Sequence, residues 1–131
     1  MHLNLQHIGQ VALAVADVDR AERFFGETLG LRRLYRFDDL CFFDCAGVRL
    51  MVEKADTPEA IQRSSVIYFR CADMALAVRE LRARGVSFVE EPNLIAKMDD
   101  HDLWMAFFHD PDGHMLALMQ EAPKGYVPPT G

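Results

Sequence analysis

The chain has 131 residues, half of them hydrophobic, which fits one compact domain that can bury a core without disulfides. Its formal net charge of −6, with no basic stripe, argues against a nucleic-acid partner. Three cysteines without CxxC spacing, and the lack of any apolar run of about 18 residues, argue against a disulfide framework and a membrane partner, and they predict a cytoplasmic protein.

The first half of the sequence predicts a strand, a helix and three further strands. Ile8–Val15 is an apolar run followed by Asp17, a suitable N-cap for the next helix. Apolar residues then recur at three- and four-residue steps over Val18–Leu29, and Gly30 closes this helix. Asp38-Asp39 and Ala46-Gly47 separate the three strands, which are predicted over Leu31–Phe37, Leu40–Cys45 and Val48–Glu53.

The second half repeats this order after a polar linker, residues 56–64. Strands are predicted over Val66–Cys71 and Val86–Val89, with a helix over Met74–Arg84 between them and a loop from Glu90 to Asp102 after them. Leu103–His109 and Met115–Gln120 form a hairpin around Asp110-Pro111-Asp112-Gly113. The tail, residues 122–131, is expected to be loose or to pack as a strap. One domain of two βαβββ modules, about 5–55 and 65–121, is therefore predicted.

Two segments make this sequence resemble a known family. One is QVALAVADVDRAERFFGETLGL, a strand, an Asp and a helix with paired aromatics before Leu-Gly-Leu; the other is FFHDPDGHMLALMQ, an Asp-Pro-Asp-Gly hairpin before the last strand. They resemble the opening and the closing of vicinal-oxygen-chelate proteins, the glyoxalase, bleomycin resistance protein and extradiol dioxygenase superfamily. The resemblance implies an α+β fold in which two βαβββ modules form a curved mixed sheet around a cavity, and it implies a homodimer. It also implies four inward side chains that hold a divalent metal as a Lewis acid.

Counting along this sequence finds the four ligand positions that the resemblance implies. The position seven residues before the strand-ending Asp is Gln10 in the first module and Val66 in the second. The position four residues after the hairpin glycine is Met51 in the first module and Ala117 in the second. Gln10 offers a weak oxygen ligand, a thioether suits hard cations poorly, and valine and alanine cannot ligate. We therefore expect no metal at these positions and no cofactor.

A displaced metal site remains an alternative. Glu53 lies two residues after Met51, so both side chains point to the same face of the strand. His101 lies in an Asp-rich segment, and a site built from Glu53, His101 and Gln10 is conceivable. The other interpretation is that this segment is a solvated loop and Glu53 a charge at the end of a strand.

Strand alternation from the four positions predicts which side chains line the cavity. If Ala46-Gly47 is a two-residue turn, Phe42 lies opposite Met51. If Asp110–Gly113 is a four-residue turn, Ala106 lies opposite Ala117 and Trp104 opposite Met119, with Phe108 and Met115 on the same face. His109 and His114 flank this turn and are expected at the surface. The predicted ligand-binding residues are Gln10, Phe42, Met51, Glu53, Tyr68, Arg70, His101, Trp104, Phe108 and Ala117.

An aromatic, Met-rich cavity with few polar groups suits a flat or apolar small molecule that is oriented by a few hydrogen bonds. The leading hypothesis is a metal-independent member that binds a small, largely apolar organic molecule, either to sequester it or to act on it. The first alternative is a lyase, isomerase or dioxygenase with a displaced metal site. The second is a non-catalytic dimeric scaffold whose cavity is filled by its own side chains.

Overall fold

The structure is a computed structural model that describes residues 8–62 and 65–127. The predicted start of the first module (residues 5–7), the end of the linker (63–64) and the end of the tail (128–131) lie outside the described residues. The chain divides into two compact units, Met1–Ser64 and Ser65–Gly131. Each unit contains one four-stranded mixed sheet with its own helix or helices.

The N-terminal unit has the predicted order of a strand, a helix and three strands. Its elements are β1 (Gln10–Val15), α1 (Val18–Arg23), β2 (Arg32–Arg36), β3 (Leu40–Cys45), β4 (Val48–Lys54) and α2 (Pro58–Gln62). The strands lie in the order β1-β4-β3-β2, with β1 parallel to β4 and the other pairs antiparallel. Helix α2 occupies part of the predicted linker, because a proline suits the first position of a helix.

The first helix is shorter than predicted and continues as a π-helical turn. Asp17 caps α1, and its Oδ1 accepts a hydrogen bond from the Arg20 N–H at 3.1 Å. From Phe24 to Thr28 the helix widens, and the Leu29 N–H donates to the Phe24 carbonyl, five residues back, at 2.9 Å. The 3.6-residue pattern of the sequence does not distinguish such a turn from an ordinary helix end.

The core of the N-terminal unit lies between its sheet and α1. The rings of Phe25 and Phe43 are fully buried there, with centroids 6.1 Å apart. The other buried hydrophobic residues of this core are Leu13, Val15, Val18, Ala21, Cys41, Leu50 and Val52. Because successive strand residues alternate, the residues between them point to the opposite face of the sheet.

The C-terminal unit repeats the same order. Its elements are β5 (Ile67–Arg70), α3 (Met74–Ala83), β6 (Phe88–Lys97), β7 (Asp102–His109) and β8 (Met115–Ala122). The strands lie in the order β5-β8-β7-β6, with β5 parallel to β8. Asp73 caps α3 by accepting the Leu76 N–H at 3.1 Å, as Asp17 caps α1. Among the described helices, none has the length and apolar character needed to cross a bilayer.

Strand β6 is longer than predicted. The segment from Glu90 that was expected to be a loop continues as strand to Lys97 and pairs with β7. It is an edge strand whose register shifts three times, so its residues keep no period-two pattern that the sequence could reveal. Asp102, also placed in the predicted loop, is the buried first residue of β7.

The hairpin between β7 and β8 has a five-residue loop, one residue longer than predicted. His109 pairs with Met115, which leaves residues 110–114 in the loop. Oδ1 of Asp110 accepts the N–H groups of Asp112 at 2.9 Å and His114 at 2.8 Å, and this holds His114 within the loop. A shift of one residue in a hairpin moves every side chain of one strand to the other face of the sheet.

The predicted placement of Trp104 and Phe108 on the cavity face is therefore wrong. Phe108 pairs with Leu116, both are fully buried, and its ring lies 5.4 Å from that of Phe88 on the α3 side. Trp104 pairs with Gln120, whose side chain binds the start of α3. Ala106 pairs with Leu118 rather than with Ala117. The face opposite α3 instead receives Leu103, Met105, Phe107, Met115, Ala117 and Met119.

Candidate functional site

The face of the N-terminal sheet opposite α1, here called the first open face, carries a row of residues across all four strands. Ala12 lies beside Met51, Met51 beside Phe42, and Phe42 beside Tyr35. The predicted pairing of Phe42 with Met51 is confirmed. Its cause is the two-residue turn at Ala46-Gly47, where both residues have positive φ, 50° and 97°.

Aromatic side chains form the outer part of the first open face. The Phe42 ring meets Tyr35 and Phe37 edge to face, with centroids 6.2 Å and 6.3 Å apart. Tyr35 and Phe37 are 56% and 57% exposed. The Arg49 guanidinium lies 5.8 Å from the centroid of the Phe42 ring. Exposed aromatic rings in mutual contact form a patch of the kind that binds ligands or partners.

Two of the four metal-ligand positions that the resemblance implies, here called ligand-equivalent positions, lie on the first open face, and their side chains are in contact. Nε2 of Gln10 donates a hydrogen bond to Sδ of Met51 at 3.7 Å. Glu53 lies two residues along β4, beside Ala14 on one strand and Leu40 on the other. Gln10 therefore has a thioether as its neighbour, and thioethers select soft metals rather than the hard cations of Lewis-acid sites.

The second open face is the face of the C-terminal sheet opposite α3. Tyr68 pairs with Ala117, which pairs with Phe107, and the Tyr68 and Phe107 rings have centroids 6.2 Å apart. Ala117 is fully buried between these two aromatic residues, and Tyr68 is 47% exposed. Val66, the remaining ligand-equivalent position, precedes β5 and is also exposed. This face is thus as apolar around its two ligand-equivalent positions as the first.

A charged cluster lies at one end of the second open face. Arg70 is ion-paired with Glu121, and Nε2 of His101 lies 3.6 Å from the other Glu121 oxygen. Nδ1 of His101 lies 2.7 Å from the Asp100 carboxylate, and this hydrogen bond lowers the pKa of Asp100. The structure so joins the predicted residues Arg70 and His101 through Glu121, which the sequence interpretation missed. The sequence feature that could have identified Glu121 is its position, four residues after Ala117 and on the same face of the strand.

Three metal-capable side chains lie together in the β7–β8 loop. Within the described residues, ligand atoms of Asp110, Asp112 and His114 lie within 4.8 Å of one another. His114 is buried, contrary to its predicted surface position, and its Nδ1 lies 2.6 Å from Oδ2 of Asp110. Oδ1 of Asp110 accepts two N–H groups of the loop, and Oδ2 is bound to Nδ1 of His114. Both carboxylate oxygens therefore already hold the hairpin. We assign Asp110 to that structural role.

Cysteine chemistry does not suit either face. Cys41, Cys45 and Cys71 are free thiols. Burial raises the pKa of Cys41 to about 11, and it also raises the pKa of Cys45 and Cys71. A thiol with a raised pKa is protonated at neutral pH and is therefore a poor nucleophile.

Comparison with known proteins finds matches over nearly the whole chain. The family model described as Glyoxalase/Bleomycin resistance protein/Dioxygenase superfamily matches residues 7–118. Glyoxylase I 4 of Arabidopsis thaliana is 24% identical over 140 residues, which cover 98% of this chain and 79% of that protein. The crystal structure of TnmS3, an antibiotic binding protein from Streptomyces sp. CB03234, matches with a TM-score of 0.75 at 23% identity, over 92% of this chain and 100% of that one. Lactoylglutathione lyase from Agrobacterium tumefaciens matches with a TM-score of 0.71 at 19% identity, over 88% and 93%. At these identities the structural matches establish the fold alone.

Proposed function

The chain belongs to the glyoxalase/bleomycin resistance protein/dioxygenase superfamily, and from this we propose that it binds a small, largely apolar organic molecule without a metal at the four ligand-equivalent positions. The observation that carries the proposal is the row of Ala12, Met51, Phe42 and Tyr35 across the first open face. The related TnmS3 is an antibiotic binding protein, so aromatic antibiotics are natural candidates to test. The free thiols support a reducing, cytoplasmic location.

The chemistry of the first open face supports a flat, partly aromatic ligand. Ala12 and Ala14 leave space above β1, and the Phe42 and Tyr35 rings offer aromatic contacts worth about 0.5–1.5 kcal/mol each beyond the area they bury. Met51 adapts its shape to an irregular ligand. Arg49 and Gln10 supply the polar groups that would orient the molecule.

Titration with anilinonaphthalene sulfonate, a flat apolar fluorophore with one anionic group, tests this proposal. We expect saturable binding to the native protein with a stoichiometry of one site per chain. Phe42→Ala should weaken binding roughly 3- to 10-fold, since it removes one aromatic contact. Ile95→Ala is the matched control, because Ile95 is a similarly exposed apolar residue on β6 of the other unit. Unchanged affinity in Phe42→Ala would refute a site on the first open face.

Metal content tests the absence of a metal at these positions. The purified protein is incubated with equimolar Ni²⁺, Zn²⁺, Mn²⁺ or Fe²⁺, passed through a desalting column and analysed for retained metal. We expect far less than one ion per chain, with the same result for Gln10→Ala. Stoichiometric metal that is lost in Gln10→Ala would contradict the proposal.

A metal-dependent lyase, isomerase or dioxygenase with a displaced site is the second candidate. The observation that favours it is the close group of Asp110, Asp112 and His114. The sequence also predicts Glu53, His101 and Gln10 as an alternative donor set, and this set stays a prediction. Metal retained by the wild type and by Gln10→Ala, but lost in Asp112→Asn, would establish this candidate in place of the first. Metal lost in none of these variants would rule out both donor sets.

We further propose that the chain forms a homodimer, as expected from the sequence resemblance. The exposed rings of Tyr35 and Phe37 support it, because contiguous apolar patches are commonly covered by a partner or a ligand. Light scattering of the purified protein should give twice the mass of one chain. A Tyr35→Ala variant that becomes monomeric and keeps its affinity for the fluorophore would move the first open face to the dimer interface and favour the scaffold alternative.

A further inference from the structure

A separate pocket lies on the helix side of the C-terminal unit. Its volume is about 420 Å³, within the range of roughly 300–1,000 Å³ that is typical of small-molecule sites. One wall is the start of α3, with Leu76 and Arg79, and the opposite wall is the tail, with Tyr126 and Val127. Gln120 of β8 belongs to its lining as well. None of these residues belongs to either open face.

Gln120 forms part of the pocket wall and is held in place by hydrogen bonds. This residue is 7% exposed. Its Oε1 accepts the N–H of Met74 at 2.9 Å, and its Nε2 donates to the Ala72 carbonyl at 3.0 Å. Because both ends of the amide are bound, the first turn of α3 is held in place against β8.

The buried carboxylate of Asp102 holds the tail that forms the other wall. Oδ2 of Asp102 accepts the Gly125 N–H at 2.9 Å, and Nζ of Lys124 lies 3.3 Å from Oδ1. Lys124 also donates to the Met98 carbonyl. The described part of the tail is thus the strap that the sequence offered as one of two expectations, and it keeps Tyr126 and Val127 at the pocket.

The lining includes one cation, Arg79, and one carboxylate, Asp73, whose Oδ1 accepts the Leu76 N–H; Tyr126 and aliphatic side chains lie beside them. Within residues 8–62 and 65–127, the Arg79 guanidinium has no hydrogen-bond or ion-pair partner. Leu76 and Val127 are 43% and 74% exposed, so aliphatic surface remains uncovered beside it. The N–H groups of Met74 and Leu76 are bound by Gln120 and Asp73, and Arg79 is the cationic side chain of the lining that can take an anion.

We propose that this pocket binds a small aliphatic carboxylate. Arg79 takes the carboxylate through its planar pair of N–H donors, the geometry in which guanidinium groups bind carboxylates. The aliphatic part of the ligand then lies between Leu76 and Val127. This site is independent of the ligand proposed for the first open face.

The test uses the full chain labelled with ¹⁵N, with hexanoate as the probe and hexanamide as its neutral counterpart. Hexanoate should shift the backbone amide signals of Leu76, Arg79 and Val127 in a saturable manner. Hexanamide should bind at least about 10-fold more weakly, because it lacks the charge that a guanidinium recognises. Arg79→Gln should weaken the binding of hexanoate by a similar factor and leave the affinity for hexanamide unchanged.

Phe42→Ala separates this site from the first open face and should leave the affinity for hexanoate unchanged. Equal binding of the two probes, or unchanged hexanoate affinity in Arg79→Gln, would overturn the proposal. Shifts confined to the first open face would overturn it as well. Arg79 is exposed on α3, so its replacement by another good helix former should not impair folding.

Discussion

Replacing Phe107 and Phe108 separately by alanine tests which face of β7 packs against α3. The two residues are neighbours with the same side chain. Phe108 is fully buried on the α3 side, whereas Phe107 lies on the second open face against Tyr68. A four-residue hairpin loop would exchange their positions, so the two variants measure the register directly.

The expected losses differ because the two rings are buried to different extents. Phe108→Ala leaves a cavity beside Phe88 and Leu116, which should lower the free energy of unfolding by about 3–5 kcal/mol. Phe107 is half-buried, so Phe107→Ala should cost about 1–2 kcal/mol, including the lost ring contact with Tyr68. The larger loss corresponds to a fall in Tm of roughly 10–20 °C for a chain of this length.

Urea unfolding followed by tryptophan fluorescence provides the assay. The chain has one tryptophan, Trp104 on β7, so the signal reports the C-terminal unit that contains both variants. The free energies of unfolding of the wild type and the two variants are compared with one shared slope of free energy against urea concentration. A Phe107→Ala variant that loses as much stability as Phe108→Ala, or more, would refute the five-residue loop and the assignment of the two faces.

Three further predictions concern charge and burial. The hydrogen bond from Arg33 is the chief cause of the lowered pKa of Glu22, so the ionised Glu22 stabilises the fold above pH about 4.5, and this stabilisation is lost as the pH falls below that value. Glu22→Gln should therefore flatten the acid side of a plot of urea midpoint against pH. An unchanged acid side would contradict this. Burial raises the pKa of Cys41 to about 11 from 9.0, so stability should fall as the pH rises between these values, and Cys41→Ala should reduce that fall; an equal alkaline loss in the variant is the negative result. Asp110→Ala removes the acceptor of two loop N–H groups and should cost about 3 kcal/mol in urea unfolding, whereas Asp38→Ala, at an exposed turn, should change little; similar effects of the two would speak against a structural role for Asp110.

The first open face could be predicted from the sequence because short-range features define it. Ala46-Gly47 forces a two-residue turn, and that turn sets the register in which Phe42 meets Met51. Alternation along the strands then places Gln10, Ala12 and Glu53 on the same face. Each of these inferences involves residues that are near in sequence or lie on one strand.

The second open face was predicted only in part, because one side chain changed the length of a loop. Asp110-Pro111-Asp112-Gly113 reads as a four-residue turn, but the Asp110 carboxylate also binds the N–H of His114 and lengthens the loop to five. Tyr68, Arg70 and Ala117 keep their predicted face, since their positions do not depend on that loop. Trp104 and Phe108 depend on it and lie on the other face.

The sequence by itself determined the repeated βαβββ order and the helix cap at Asp17, and it predicts that Met51, Val66 and Ala117 do not ligate a metal. These follow from local patterns and from the chemistry of single side chains. Only the tertiary structure decided the register of the second hairpin and the cluster that joins Arg70 to His101 through Glu121. It also decided the strap that Asp102 holds beside α3. Such contacts join residues that are distant in sequence, and no local propensity or periodicity specifies which distant groups will meet.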